Sequence, residues 1–138
     1  MLEIKRTVES KAYQKAAENR EIMDAINLER DRRINLGFDF AGQHFQSDPK
    51  SLLNISGAGA SAGIAYISGK QAGDYRWHGG DSDFAWTVGD NTSFVMDAQT
   101  TFAMSQAAMA HVDWFMKASR ALKDMDPIPS DFLDDQYW

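Results

Sequence analysis

The amino-acid sequence predicts an α+β fold on three observations. Residues 5–36 and 98–123 contain neither glycine nor proline and repeat apolar residues at helical spacing. Between them, the stretch FDFAGQHFQSD alternates with a period of 2, which is typical of a β-hairpin. Residues 70–97 then place short apolar runs between turn residues. We predict, in chain order, a long N-terminal helix, a β-hairpin, a small-residue helix, a small antiparallel β-meander, a long helix and an aromatic C-terminal tail.

The composition is that of one folded domain. The chain has 138 residues, of which 43% are hydrophobic and 25% charged, and this length suits one modest core. Cysteine is absent, which excludes disulfides, thiolate catalysis and Cys-based metal sites. No run approaches the roughly 18 apolar residues of a membrane span, and the first residues lack the apolar segment of a signal peptide. We therefore predict no membrane partner.

The net charge of −6 is unevenly distributed. Residues 1–33 hold eight Lys/Arg and seven Asp/Glu, whereas residues 34–138 hold six and thirteen. The body of the protein would therefore repel phosphates, and the sequence contains no basic stripe. We predict no nucleic-acid partner.

The first helix has a thin apolar stripe. The helical stretch ends at INLG, where Gly37 suits the C′ position. The apolar residues at helical spacing are Ile4, Val8, Ala12, Ala16, Met23, Ile26 and Ile34. Such a stripe is too thin to be buried along its whole length. Two interpretations stay open: a solvated helix that docks only through its C-terminal half, or a protruding, partner-binding segment over residues 1–27, with Tyr13 and Met23 as candidate contacts.

The hairpin follows directly. Ala41 and Gly42 suit a two-residue turn, which would pair Phe38 with Phe45. That register places Phe40 on the same face as the other two phenylalanines.

The segment SGAGASAG, residues 56–63, allows three interpretations. It contains G-x-G-x-x-A, the spacing of a dinucleotide-binding fingerprint, and its glycines and serines also suit a flexible linker. However, Asp48 and Pro49 just upstream are typical of an N-cap and a first helical residue. A turn-rich strip follows, instead of the parallel strand that a nucleotide site needs. We therefore predict a helix over residues 49–67 and no cofactor.

This helix is predicted to pack closely within the domain. Ser56, Gly59 and Gly63 would let a neighbouring backbone approach. The face predicted to be buried consists of Leu53, Ala60, Ile64 and Ile67.

The next region predicts the meander and the last helix. The runs YRWH, FAWTV and SFVM are separated by the turn sequences GGDS and GDNT, so we predict three short antiparallel strands. Asp97 then suits the N-cap of a helix, with Thr100 near N3. The broad apolar face of residues 98–123 suits the core.

The sequence contains no motif in a context that predicts catalysis. His44, His78 and His111 show no metal-ligand spacing, and no HExxH occurs. The G-x-S-x-G spacing at residues 59–63 lies inside the predicted helix 49–67, so it does not form the strand-to-helix elbow of a serine nucleophile. Asp81 and Asp83 suit turns. We predict no catalytic, metal-binding or cofactor-binding residues and expect no enzyme. A small nucleotide-binding or metal-dependent enzyme is the alternative of another class.

The C-terminal tail, residues 126–138, is broken by two prolines and ends in aromatic residues. Phe132, Tyr137 and Trp138 are candidate partner-binding residues. They would either fold back onto the domain or dock into a partner, because aromatic anchors suit both.

Four stretches carry a family resemblance: GFDFAGQHFQSDPKSLLNISGA, DNTSFVMDAQTT, AAMAHV and ASRALKD. They resemble a domain of unknown function found in tailed-phage and prophage proteins, often at the C-terminus of tail-fibre or tail-fibre-assembly proteins. The similarity covers about residues 28–125, and we interpret this range as a compact α+β domain. The MDAQT and FxSDxxSxxNIxGA pieces are the most specific.

The resemblance implies a non-enzymatic structural or adaptor protein of the phage tail or baseplate, assembled in the host cytoplasm and located in the virion. Its partners would be other tail or tail-fibre proteins, and a homo-oligomer such as a trimer stays open. The alternative is a tail-fibre assembly chaperone absent from the mature virion.

Overall fold

The computed structural model describes residues 2–138; Met1, the first residue of the predicted segment 1–27, lies outside the described residues. Within that range the protein contains three α-helices and two two-stranded antiparallel sheets, so the predicted α+β class is confirmed. The elements are α1 (Leu2–Ile34), β1 (Phe38–Phe40), β2 (Gln43–Phe45), α2 (Pro49–Ile67), β3 (Ala85–Thr87), β4 (Ser93–Val95), α3 (Ala98–Lys123) and a 3-10 helix (Asp135–Tyr137).

The chain forms two compact units. One consists of the residues up to 32 together with residues 116–138, and the other consists of residues 33–115. Helices α1 and α3 therefore each contribute to both units. The predicted boundaries after residues 27 and 125 stay predictions.

The core of the 33–115 unit is built on the β1–β2 hairpin. Phe38 pairs with Phe45, and their rings stack with centroids 5.4 Å apart. Ala41 and Gly42 have φ values of 50° and 75°, so both central residues of the turn are at positive φ, as tight hairpins prefer. The predicted hairpin and its register are confirmed. The buried residues that pack with these two phenylalanines are Ile55, Val88, Met96, Met104 and Ala108.

The junction between α1 and the hairpin requires a glycine. Gly37 has a φ of 89°, which confirms the predicted helix-terminating position. A Cβ at this residue would overlap the imidazole of His44. The last carbonyl of α1, that of Ile34, accepts hydrogen bonds from the buried Ser47 hydroxyl and from His111 Nε2, the latter at 2.9 Å. These bonds satisfy the Ile34 carbonyl, which has no N–H partner within the helix because it lies at the C-terminal end.

Helix α2 begins where the sequence predicts it. Pro49 is its first residue, and Asp48 is the N-cap, whose carboxylate accepts bonds from the Ser51 hydroxyl at 2.5 Å and the Ser51 backbone N–H at 3.3 Å. Those bonds lower the pKa of Asp48. The segment SGAGASAG therefore lies inside a helix, and the linker interpretation is wrong.

The predicted buried face of α2 is wrong. The buried residues are Ile55, Gly59 and Ala62. The four residues predicted to be buried are all exposed: Leu53, Ala60, Ile64 and Ile67. The reason is that α2 has two apolar stripes on roughly opposite sides of its axis. The stripe of smaller residues packs inwards, because it allows close contact.

That close contact confirms the predicted role of Gly59. A methyl group there would overlap both Oγ and Cβ of Ser105 on α3. A methyl group on Gly63 would lie 3.3 Å from Cδ2 of Phe102, which is tight but less severe. The two helices thus approach each other through the glycines.

The predicted meander has two strands instead of three. Strands β3 and β4 pair with Trp86 opposite Phe94, but the run YRWH forms turns. The Tyr75 carbonyl of this run accepts a bond at 2.6 Å from the N–H of Phe84, the residue before β3. Trp77 is buried, and its indole N–H donates to the carbonyl of Met96 at 3.1 Å. The aromatic residues of YRWH therefore serve packing, although β propensity favoured a strand.

The start of α3 confirms the predicted cap. Asp97 accepts a bond from Thr100 N at 2.8 Å and a second from Gly73 N at 2.9 Å. Partial burial opposes ionisation of Asp97, but the bonds from Thr100 and Gly73 outweigh it, so the pKa is lowered. The next residue, Ala98, is buried. The side-chain amide of Gln99 then donates a hydrogen bond to the Lys70 carbonyl. The MDAQT stretch thus fastens the preceding loop to the helix.

Candidate partner-binding surfaces

The N-terminal half of α1 is an exposed helix. Every residue from 2 to 16 is exposed, although the segment is helical throughout. Its large apolar residues are solvent-facing: Leu2, Ile4, Val8 and Tyr13. Exposed apolar side chains on a protruding helix are typical of a docking segment.

Further along α1, the same helix becomes buried. Ile26 is fully buried, as is Leu122 near the end of α3, and both belong to the unit formed by the chain ends. A groove of about 510 Å³ lies in this unit between α1 and residues 123–128. Met23, a predicted contact residue, lines that groove. Tyr13 lies ten residues earlier, or about 15 Å along the axis.

Lys123, at the edge of this groove, is a partly buried cation. The Lys123 ammonium donates a hydrogen bond to Asn27 Oδ1. Partial burial and the nearby guanidinium groups of Arg30 and Arg120 lower the pKa of Lys123. The ammonium therefore holds α1 and α3 together through a polar contact inside this unit.

The aromatic tail is folded on itself. Trp138 Nε1 donates to the Phe132 carbonyl at 2.8 Å, and the Tyr137 hydroxyl donates to Asp131 Oδ1 at 2.9 Å. The latter bond raises the pKa of Tyr137. The structure thus brings together Phe132, Tyr137 and Trp138, all of which are partly buried. Whether they bind a partner stays a prediction.

The outward side of α2 is a surface that the sequence interpretation missed. A groove of about 400 Å³ runs beside it, between α2 and α3. Phe102 and Met109 line the α3 side and remain partly or largely exposed. The sequence shows the apolar pattern of this side of α2, but the pattern predicts a face buried in the core.

His44 forms a polar cluster with Asp39 and the Leu36 carbonyl in the 33–115 unit. Its Nδ1 lies 2.8 Å from Asp39 Oδ1 and its Nε2 lies 3.0 Å from the Leu36 carbonyl. Both partners only accept, so the ring satisfies both only when it is protonated on both nitrogens. The hydrogen bond to Asp39 raises the pKa of His44, against a smaller opposing effect of burial. This cluster joins the end of α1 to the hairpin.

The other two histidines lie among aromatic rings. His111 packs between Phe38 and Phe115, with ring centroids 5.7 and 5.2 Å away. His111 is partly buried, and its Nε2 bonds to the Ile34 carbonyl. The ring centroids of His78 and Phe84 lie 5.4 Å apart, beside a groove of about 480 Å³.

Two other kinds of site are a metal site and a dinucleotide site. Within residues 2–138, no group of three His, Asp or Glu side chains is placed to hold a metal ion. The G-x-G-x-x-A segment lies in the middle of α2, whereas a dinucleotide fingerprint must lie between a strand and a helix N-terminus. No helix in the described part of the chain is long and apolar enough to cross a membrane.

The fold defines a small α+β domain in which three helices accompany two hairpins. The chain belongs to the family described as domain of unknown function (DUF4376), whose pattern matches residues 15–135. No curated protein and no solved structure matches the chain.

Proposed function

We propose that the protein is a non-enzymatic adaptor of a phage tail, which binds other tail or tail-fibre proteins through the exposed segment of α1, residues 2–16. The observation that supports this proposal is the complete exposure of a helix that carries large apolar side chains. An isolated helix of this length is marginal in water, because most helical stability in proteins comes from packing an apolar face. A partner would supply that packing.

The position of the stripe supports a helical partner. Val8, Ala12 and Ala16 continue, at helical spacing, towards Met23 and Ile26. Met23 is partly buried and lines the groove, and Ile26 is buried by the chain itself. A partner helix laid along the free part would extend an existing packing surface.

Charge indicates the chemistry of that partner. Residues 2–20 hold five Lys/Arg and three Glu, whereas the body of the chain is acidic. An acidic amphipathic helix would therefore be attracted to α1 and repelled by the remaining surface.

The phage assignment rests on the resemblance of the FxSDxxSxxNIxGA and MDAQT stretches to tail-associated domains. In this protein their polar residues serve the fold: Ser47 binds the end of α1, Asp48 caps α2 and Asp97 caps α3. A role in positioning surfaces, with no reaction to catalyse, is consistent with that use.

The experiment compares the full chain with the variant Ile4→Glu/Val8→Glu in phage-producing cells. We expect tail proteins to co-purify with the full chain and not with the variant, because two charges would interrupt the apolar stripe. The control Thr7→Glu/Gln14→Glu adds the same two charges to the exposed segment but leaves the apolar stripe intact, so it should weaken association less. Equal recovery with all three chains would contradict the proposal.

Mass spectrometry of purified virions separates the two roles that the resemblance leaves open. A tail adaptor is recovered in a fixed ratio to other tail proteins. Recovery of the tail without this chain would instead assign it to assembly, as a chaperone.

A further inference from the structure

The face of α2 that points away from the core is apolar. Leu53, Ile64 and Ile67 are 72%, 68% and 86% exposed, and Ala60 lies among them. At about 100° per residue, this stripe lies roughly opposite the buried Ile55. A surface helix normally places its polar residues on that side.

Apart from Lys50 in its first turn, the helix also lacks charge. No Asp, Glu, Lys or Arg occurs from residue 51 to residue 69. A contiguous apolar surface without charged residues is typical of a protein–protein interface. Since nothing on the stripe from Leu53 to Ile67 could select an oppositely charged partner, an identical uncharged surface is the best match.

The stripe is nearly symmetric about Ala60. Leu53 and Ile67 lie seven residues on either side of it, and Gly57 and Gly63 lie three residues on either side. If two copies of α2 cross antiparallel at Ala60, Leu53 of each copy meets Ile67 of the other. Gly57, where a Cβ would meet open space, then leaves room for the second helix beside the crossing. Such self-matching is the requirement of a two-fold interface.

The available area is sufficient for a specific but modest dimer. Helix α2 has 19 residues and is therefore about 28 Å long. Together with the adjacent α3 row of Phe102 and Met109, the face is about 20 Å wide, since packed helices lie 8–10 Å apart and each is 10–12 Å thick. Two such faces bury about 1,100 Å² in total, just above the roughly 1,000 Å² expected of a biological interface.

We propose that this outward face of α2 is a homodimer interface, in which two copies of α2 cross antiparallel at Ala60. The interface would bury the stripe formed by Leu53, Ala60, Ile64 and Ile67. The sequence pattern predicts that these residues are buried, but they are exposed in the single chain. It is separate from the proposed partner segment on α1, so either proposal can fail without the other.

A cysteine cross-link tests the geometry, because the chain has no cysteine of its own. Cα atoms that face each other across a close helix crossing are about 4–5 Å apart, given a Cα radius of about 2.3 Å and axes about 9 Å apart. A disulfide requires about 4.4–6.8 Å. We expect Ala60→Cys to form a covalent dimer readily under mild oxidation.

The matched control is Ala110→Cys, another exposed alanine in the middle of a helix. It lies on the side of α3 away from the groove, so its cross-linking should stay at the rate of random collision. Equal cross-linking of the two variants, or none with Ala60→Cys, would overturn the proposal.

Sedimentation equilibrium tests the assembly independently. The wild-type chain should dimerise reversibly, and Leu53→Glu/Ile67→Glu should be monomeric with unchanged far-UV circular dichroism. Leu28→Glu places a charge at an equally exposed leucine on α1 and should remain dimeric. A wild-type chain that stays monomeric up to about 1 mM, the weak end of specific affinities, would overturn the proposal. An oligomer that survives the double substitution would overturn it too.

Discussion

At the residue scale, Gly59 determines how closely α2 and α3 pack. A methyl group at this position would overlap Ser105, and the overlapping Cβ atom cannot move without its backbone. We expect Gly59→Ala to destabilise the fold by about 1–3 kcal/mol, the usual effect of overpacking. Gly57→Ala, where a methyl group meets open space, should instead stabilise by up to about 1 kcal/mol through helix propensity. Urea unfolding measures both.

A double mutant makes this prediction specific. Ser105→Gly removes the overlapping atoms, so Gly59→Ala should cost clearly less in that background. If Gly59→Ala destabilises equally in both backgrounds, or if it matches Gly57→Ala, the close contact is absent.

A second prediction at this scale concerns pH. The pKa of His44 is raised in the folded protein by Asp39, so its contribution to stability is fully present below the unfolded value of about 6.5 and is lost as the pH rises through the folded value. The side chain is 53% exposed, so solvent screening limits the contribution to less than about 1 kcal/mol.

The measurement is the free energy of unfolding of wild type and His44→Gln between about pH 5.5 and 8.5. The advantage of the wild type should shrink as the pH rises. The other two histidines are present in both chains and cancel. A difference that is constant or grows with pH would show that the imidazolium is not held by Asp39 and Leu36.

At the element scale, Asp97 connects two parts of the 33–115 unit. It caps α3 and also binds the Gly73 N–H. Its pKa is lowered, so its contribution is present above the unfolded value of about 3.9 and is lost as the pH falls through the folded value. We expect Asp97→Ala to cost about 1–2 kcal/mol at pH 7 and less at pH 3, as measured by urea unfolding. Asp81→Ala, a turn substitution, is the control, and an equal loss from both would contradict this role.

At the element scale, the bounds of α2 could be predicted from the sequence, whereas its buried face could not. The bounds of α2 could be predicted because Asp48 and Pro49 act locally, as could the turn at Gly42 and the cap at Asp97. The buried face of α2 could not, since Leu53 and Ile55 both belong to apolar stripes and only tertiary contacts decide between them. For the run YRWH, β propensity predicts a strand, but the packing of Trp77 overrides that preference.

At the scale of the whole molecule, the chain ends form a unit of their own. The sequence gives no sign that residues near 26 and 122 are buried in the same unit, because such contacts are nearly a hundred positions apart. The candidate residues of the tail lie in one locally hydrogen-bonded segment: Phe132, Tyr137 and Trp138. Their binding role stays a prediction, as does that of Tyr13 and Met23.

We propose that residues 2–16 bind a partner and contribute little to the stability of the chain itself. Deleting them removes only exposed side chains, so the free energy of unfolding should change by less than about 0.5 kcal/mol. For a domain of this size the melting temperature should shift by less than about 4 °C.

The most direct test measures the melting temperature and the co-purification of tail proteins for the full chain and for the chain without residues 2–16. We predict a nearly unchanged melting temperature together with complete loss of association. A fall of more than about 10 °C, or undiminished association, would contradict the claim.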